Sequence, residues 1–420
     1  MESSAPLAAH LPLLLLPLLL LAAPAAARDP EMYLNMLEED RAQRHNAYCL
    51  DGTLPGFYYG PAATESKNTS WIVHLEGGGY CRNVTECLDR TNEDSGSSKN
   101  WPYLWDMAGG MSTDLSVNPA FADFHHIFIP YCDGFFYAGD RPGSLKTQGK
   151  ELFFRGRPIL KAVLDQIDDI GLAKADEIVL TGCSAGSLAA YLHGDYIGSR
   201  YPNAKYGVAP VSGFFPELPS VTGSMDVWDT IEKAATELFQ IDLSGGGCMD
   251  ATNDSVYCVI PNNSYAYMNS PIFAINSAID LYALENIWDG DTDCTDSLVR
   301  DCSPEAIADI NGWGTRFWDS ITNSGDTFYK TGNGAFIHSC YEHCNAAEQD
   351  ESFTNLAING VTMSAAVQKW WDSDFKDSAD GNTYMPCYLV DTPPHYCNPT
   401  CKYVDPTSEL KTLLNRNETL

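Results

Sequence analysis

Basic side chains are scarce in this 420-residue chain: 25 Lys and Arg stand against 56 Asp and Glu, a formal charge of −31. That balance argues against a nucleic-acid partner, because a polyanion needs a basic surface to displace its counterions. It also sets up long-range repulsion toward any polyanionic substrate chain unless esterification, salt or acid pH lowers the charge. The plainer reading is a solvated surface that keeps the protein soluble in saline or acidic surroundings. Beyond the amino end no segment has the length and apolarity of a membrane span, so no stable membrane insertion is expected. The carboxyl end, Leu413–Leu420, has neither a hydrophobic anchor tail nor an ER-retention tetrapeptide. No internal repeat and no Pro- or Ser-rich linker divides the chain, which favours one elaborated domain over residues 28–420.

The long apolar run that is present, Leu11 to Leu21, is followed by Ala25-Ala-Ala27 and reads as a secretory core with a small-residue cleavage site. We assign residues 1–27 to a signal peptide. No Lys or Arg precedes it, a departure from the usual pattern, but the run is too short and too Pro-interrupted for a span. Fourteen cysteines behind such a leader point to an oxidising compartment and several disulfides, rather than to metal or redox sites. Local bridges are plausible at Cys81/Cys87, Cys248/Cys258, Cys294/Cys302 and Cys397/Cys401, while Cys340 and Cys344 flank a histidine and could pair elsewhere. Sequons at Asn68, Asn83, Asn253, Asn262 and Asn417 agree with a secretory route.

Hydrophobic residues make up 44% of the chain, enough for a large core. A short amphipathic helix is expected over Glu31–Arg44. Strands are expected at Trp71–Glu76, His126–Tyr131, Glu177–Cys183, Tyr206–Val211, Pro271–Asp280 and Ala335–Cys340. Helices are expected between and after them, at Arg157–Ile170, Ser187–Ser199, Met225–Phe239, Pro304–Ile321 and Val361–Asp372. Alternation of this kind predicts an α/β fold, a mostly parallel sheet with helices on both faces and functional residues at the carboxyl ends of strands. Residues 83–111 and 243–270 interrupt it as insertions.

The densest chemical signal is Ile178-Val-Leu-Thr-Gly-Cys-Ser-Ala-Gly186, an apolar strand that runs into Gly-x-Ser-x-Gly and then into a helix-forming stretch. This is the pattern of a nucleophile elbow, with Ser184 on a tight turn and Gly182 and Gly186 small enough for close backbone approach. A serine hydroxyl needs a histidine base, and the base needs a carboxylate to fix its tautomer. In the order Ser, Asp or Glu, His, the histidines after the elbow region are His338, His343 and His395. His343 sits in a loop between Cys340 and Cys344, whereas His338 lies within a strand, so position favours His343. For the acid, Asp280 ends an apolar strand and could alternatively cap a helix. Asp289, Asp291 and Asp293 are its rivals, in a segment that departs from a calcium loop at Cys294 and Arg300. Oxyanion donors are expected from Gly78 and Gly79, in Glu-Gly-Gly-Gly-Tyr-Cys81, together with the N–H of Ala185. No metal and no organic cofactor is required.

Five motifs in order, Leu75-Glu-Gly-Gly-Gly-Tyr-Cys81, Tyr131-Cys-Asp-Gly134 with Ala138-Gly-Asp140, Gly182-Cys-Ser-Ala-Gly186, Asn276-Ser-Ala-Ile-Asp280 and Ser339-Cys-Tyr-Glu-His-Cys344, resemble the pectin acetylesterase/Notum family. The resemblance runs from Tyr48 to Cys401. It implies an α/β-hydrolase-like fold and a secreted serine esterase acting on an acylated carbohydrate, with Ser184, Asp280 and His343 as its triad. Acetyl removal from a polysaccharide such as pectin is the expected reaction. A lipid deacylase of the Notum kind and an inactive glycan-binding scaffold are the alternatives. The chain departs from the plant-type pattern at Tyr80 and Ser187 and from Notum at Gly79, where Notum has Trp. Phe135, Phe136 and Tyr137 are expected to stack on sugar or fill core, at least one of them core.

Overall fold

The computed structural model describes residues 31–290, 294–295, 299, 302–385, 398 and 400–401. The signal peptide, Asp291, Asp293, Arg300, His395, Cys397, Asn417 and the carboxyl tail lie outside these residues.

The described residues build a ten-stranded sheet whose middle is parallel. Its first five strands are β1 (Glu31–Met36), β2 (Gly56–Gly60), β3 (Ser70–Leu75), β4 (Leu104–Asp106) and β5 (His125–Ile129). A small hairpin, β6 (Leu145–Thr147) and β7 (Lys150–Leu152), stands apart. The sheet resumes with β8 (Glu177–Cys183), β9 (Lys205–Val211), β10 (Phe273–Ser277) and β11 (Gly334–His338). A second small hairpin, β12 (Ala357–Ile358) and β13 (Val361–Thr362), precedes the last sheet strand, β14 (Thr383–Tyr384). Spatial order is β14-β11-β10-β9-β8-β3-β5-β2-β1-β4. Pairings from β14 to β5 are parallel, and β2, β1 and β4 add an antiparallel edge.

Side chains alternate between two cores because successive Cβ atoms point to opposite faces of a strand. Trp71, Val73, Leu75, Ile178 and Leu180 enter one core, and Ile72, Val179, Cys183, Val211 and Ile275 enter the other. The first is covered by the helices Gly156–Asp169 and Ala185–Arg200, whose Leu160, Val163, Leu164, Ala189 and Leu192 are buried. The second is covered by Met363–Asp372, through Met363, Val367, Trp370 and Trp371.

Most expected elements stand within a few residues of their expected bounds. One does not: Glu31–Arg44 is no single helix, because Glu31–Met36 pairs antiparallel with both β2 and β4 before a helix forms at Glu39–His45. Pairing on both sides satisfies the backbone and overrides local helical patterning. The expected start of a helix at Val361 is instead the strand Val361–Thr362, with Thr362 then capping the helix by accepting from Ala365 N–H at 3.2 Å.

Six disulfides are formed among the described residues. Cys81–Cys87, Cys248–Cys258 and Cys294–Cys302 are the expected local pairs. Cys397/Cys401 is not, because Cys401 bonds Cys340. The remaining bridges, Cys49–Cys132 and Cys183–Cys344, join distant segments.

Two glycines allow the central helix to meet the sheet. A Cβ on Gly186 would fall 1.9 Å from the Leu75 carbonyl oxygen, and one on Gly182 would fall 2.5 Å from that of Gly186. Neither neighbour can retreat, since both are backbone. Gly186→Ala is therefore expected to destabilise the protein by about 3 kcal/mol or more, read as a lower urea midpoint. An unchanged midpoint would show that helix and strand are not in this contact.

Candidate active site

Ser184 lies between β8 and the helix Ala185–Arg200 with φ +53° and ψ −122°, a left-sided conformation that non-glycine residues rarely adopt. Its N–H donates to the Val211 carbonyl at 3.2 Å, and its own carbonyl accepts from Leu188 N–H at 2.9 Å, so neighbouring strand and helix hold the strain. The glycine loop after β3 lies against this turn. A Cβ on Gly77 would stand 2.9 Å from Ser184 Cβ. Gly78 and Gly79 have φ +132° and +62°, which glycine adopts without a steric penalty. Among the described residues the N–H groups of Gly78, Gly79 and Ala185 donate to no protein acceptor. Ala185 opens its helix, where such unpaired donors and the helix dipole favour negative charge.

Asp280 and His343 meet each other. The His343 Nδ1 atom is 2.9 Å from Asp280 Oδ2 and 3.0 Å from Oδ1. A carboxylate only accepts, so Nδ1 carries the proton and Nε2 is the basic nitrogen of the ring. Asp280 also caps a helical turn by accepting from Ala283 N–H at 3.1 Å, the alternative expected of it from the sequence. Tyr282 stacks on the imidazole at 5.5 Å between centroids, and Phe215 lies beyond at 6.3 Å.

The link to Ser184 is covalent: Cys183, directly before the serine, bonds Cys344, directly after the histidine, with Cα atoms 5.7 Å apart. Polar side chains to which the sequence reading gave no role complete the join. Ser277 Oγ donates to the Cys340 carbonyl at 2.6 Å, Asn276 Oδ1 accepts from Phe214 N–H at 3.0 Å, and Ser212 Oγ accepts from Cys344 N–H at 3.2 Å. Asn276-Ser277 in an otherwise apolar strand was the available signal.

Of the rivals, His338 and Asp289 are among the described residues. His338 is buried, accepts from Cys340 N–H at 3.2 Å, and burial lowers its pKa to about 3. Asp289 follows a helical turn with φ +51°. Ser187 is fully buried against Gly213, whose missing Cβ would lie 2.4 Å from its Oγ, so it is an interior helix residue. Phe135, Phe136 and Tyr137 are all core.

A family profile described as Pectinacetylesterase matches residues 26–402. The chain belongs to the pectinacetylesterase family. Pectin acetylesterase 5 of Arabidopsis thaliana is 30% identical over 370 residues, covering 86% of this chain and 83% of its own. A palmitoleoyl-protein carboxylesterase of Danio rerio is 26% identical over 395 residues, covering 89% of this chain and 73% of its own. Among solved structures, the Wnt deacylase Notum from Drosophila superposes with a TM-score of 0.71 at 22% identity, over 89% of this chain and 100% of that one. The pectinacetylesterase fold here is thus α/β-hydrolase-like.

Three of the buried histidines set a pH dependence for the stability of the chain. Burial lowers His74, His193 and His338 to about 3, with the Arg157 charge adding to the effect at His193. Between pH 6.5 and 3 the unfolded chain binds protons at these positions and the folded one does not, so stability falls as pH drops below 6.5. Asp133 opposes them: burial raises it to about 7, so the folded state holds a proton that the unfolded state has released above pH 4. Three groups outweigh one, and stability is expected to fall by about 2 kcal/mol from pH 6 to pH 5. Urea titrations at the two values check it; equal midpoints would contradict buried neutral histidines.

Proposed function

We propose that this chain is a secreted serine esterase that removes short acyl groups, acetyl above all, from an O-acylated polysaccharide such as pectin. The observation that carries the reading is the His343–Asp280 pair at 2.9 Å, on a loop tied by Cys183–Cys344 to the residue before Ser184. Ser184 Oγ attacks the ester carbonyl carbon while its proton passes to His343 Nε2. Asp280 holds the ring and supports the imidazolium. The N–H groups of Gly78, Gly79 and Ala185 bind the oxyanion, a contribution worth roughly 3 kcal/mol per donor in comparable sites. Collapse expels the sugar hydroxyl with the proton from His343. A water, deprotonated by the same nitrogen, then adds to the acyl carbon, and collapse breaks its bond to Ser184 Oγ, which takes the proton back from His343 as the acid leaves.

Acetyl and carbohydrate are supported by the names of the plant relatives and by Gly79, where the resemblance gives Notum a Trp. Secretion is supported by the leader-like residues 1–27 and by six disulfides. Among the described residues no helix is long and apolar enough to cross a membrane. We read residues 28–420 as one esterase unit.

Ser184→Ala is expected to lower aryl acetate turnover at least 10⁴-fold with an unchanged thermal midpoint. Turnover that survives would remove the serine from the mechanism. In a chain-length series of aryl esters the wild type is expected to prefer acetate, and a preference for long chains would reassign the substrate to a lipid acyl group.

A further inference from the structure

Oxyanion donors lower a barrier only if they already point at the site, since donors that reorganise during reaction return the energy they supply. Three consecutive glycines are poor material for that task, because glycine ranges widely over φ. Something outside the loop must hold Gly77–Gly79.

Both ends of the loop are anchored. At its start, Glu76 N–H donates to the Ile129 carbonyl at 3.1 Å, and the Glu76 carboxylate accepts from Tyr131 N–H at 2.7 Å. Past its end, Cys81 N–H donates to the Gly134 carbonyl at 3.1 Å, and Cys81 is bridged to Cys87. The middle is met by Tyr131, a wholly buried side chain. Its ring lies under the loop, so that a Cβ on Gly78 would stand 3.2 Å from Cδ1. Its hydroxyl donates to the Gly79 carbonyl at 2.9 Å and accepts from Phe136 N–H at 3.0 Å. Because a peptide unit is planar, fixing that carbonyl fixes the Gly79–Tyr80 plane, and the plane that carries the Gly79 N–H adjoins it through Gly79 Cα, with the Tyr131 ring against Gly78 on its other side.

The hydroxyl is itself held in place. Phe136 sits at φ +53° in a buried turn, and its carbonyl lies 3.2 Å from His193 Nε2. Arg157 Nη1 donates to His193 Nδ1 at 3.1 Å, which makes Nε2 the protonated nitrogen and the donor to Phe136. A continuous chain of hydrogen bonds therefore runs from the helix carrying Ser184 at its start to the glycine loop. Burial raises the Tyr131 phenol well above its usual range, so it remains a donor at any working pH.

We propose that Tyr131 is a positioning residue whose hydroxyl holds the Gly78–Gly79 arm of the oxyanion site in its reactive form without touching substrate. The proposal rests on the reading of Gly78, Gly79 and Ala185 as oxyanion donors. Tyr131→Phe keeps the ring and removes the pin. With rates taken per natively folded molecule, kcat on aryl acetate falls roughly 10- to 100-fold while KM stays within about twofold. Affinity for a boronic acid, which forms a tetrahedral adduct, falls by the same factor, and affinity for acetanilide, a planar unreactive analogue, does not change. A variant with 4-aminophenylalanine at position 131 retains an N–H donor and recovers wild-type kcat and boronate affinity. Wild-type values of both in native Tyr131→Phe would overturn the proposal. So would their loss in a native 4-aminophenylalanine variant, which also decides the matter if the phenylalanine variant does not fold. A wild type inert toward aryl acetate and boronate would defeat the esterase reading itself, whereas an active wild type indifferent to Tyr131→Phe defeats this inference alone.

Discussion

The Cys183–Cys344 bond is the constraint on which the site depends. It joins residues 161 apart in sequence, each the immediate neighbour of a group proposed to react. Closing so long a loop in the unfolded chain contributes on the order of 5 kcal/mol in the chain-entropy account. Its larger consequence is geometric. Ser184 is fixed by its strand and helix, but His343 lies five residues beyond the end of β11, where a loop would otherwise be free to drift. The bond ties that loop to the strand of the serine, and the Ser277–Cys340 hydrogen bond ties it to the strand leading to Asp280. Three loops from three strands thereby become one rigid edge of the sheet, as positioning within a fraction of an ångström requires.

Close backbone contact does for the glycine loop what the disulfide does for the histidine. Gly186 lets the central helix start against the Leu75 carbonyl, and Gly77 lets the next loop lie against Ser184. The strained φ of Ser184 is the local cost of this crowding. It is sustained by cores on both faces of β8, which leave the turn no room to relax.

Much of this was legible in the sequence, for reasons that differ by element. Glu177–Cys183 was found to the residue because a strand buried on both faces is a continuous apolar run. Asp280 and His343 were singled out by chain order and by their places at strand ends, and the structure pairs these two side chains. What stayed hidden depended on distant partners. Nothing in Glu31–Met36 announces the two strands that flank it, and helical spacing was the nearest local pattern. Cys340 pairs with Cys401 rather than leaving that residue to its near neighbour, since bridging follows folded proximity and not spacing. The Tyr131 hydroxyl was invisible for the same reason, its two partners being a loop and a turn from separate segments.

The central claim is that this edge of the sheet activates one serine among many. Treating the folded protein with a fluorophosphonate and mapping the modified peptide tests it most directly. The account predicts a single adduct, on Ser184, whose rate of formation collapses in His343→Ala. An adduct on another serine, or labelling of Ser184 at the same rate without His343, would contradict it.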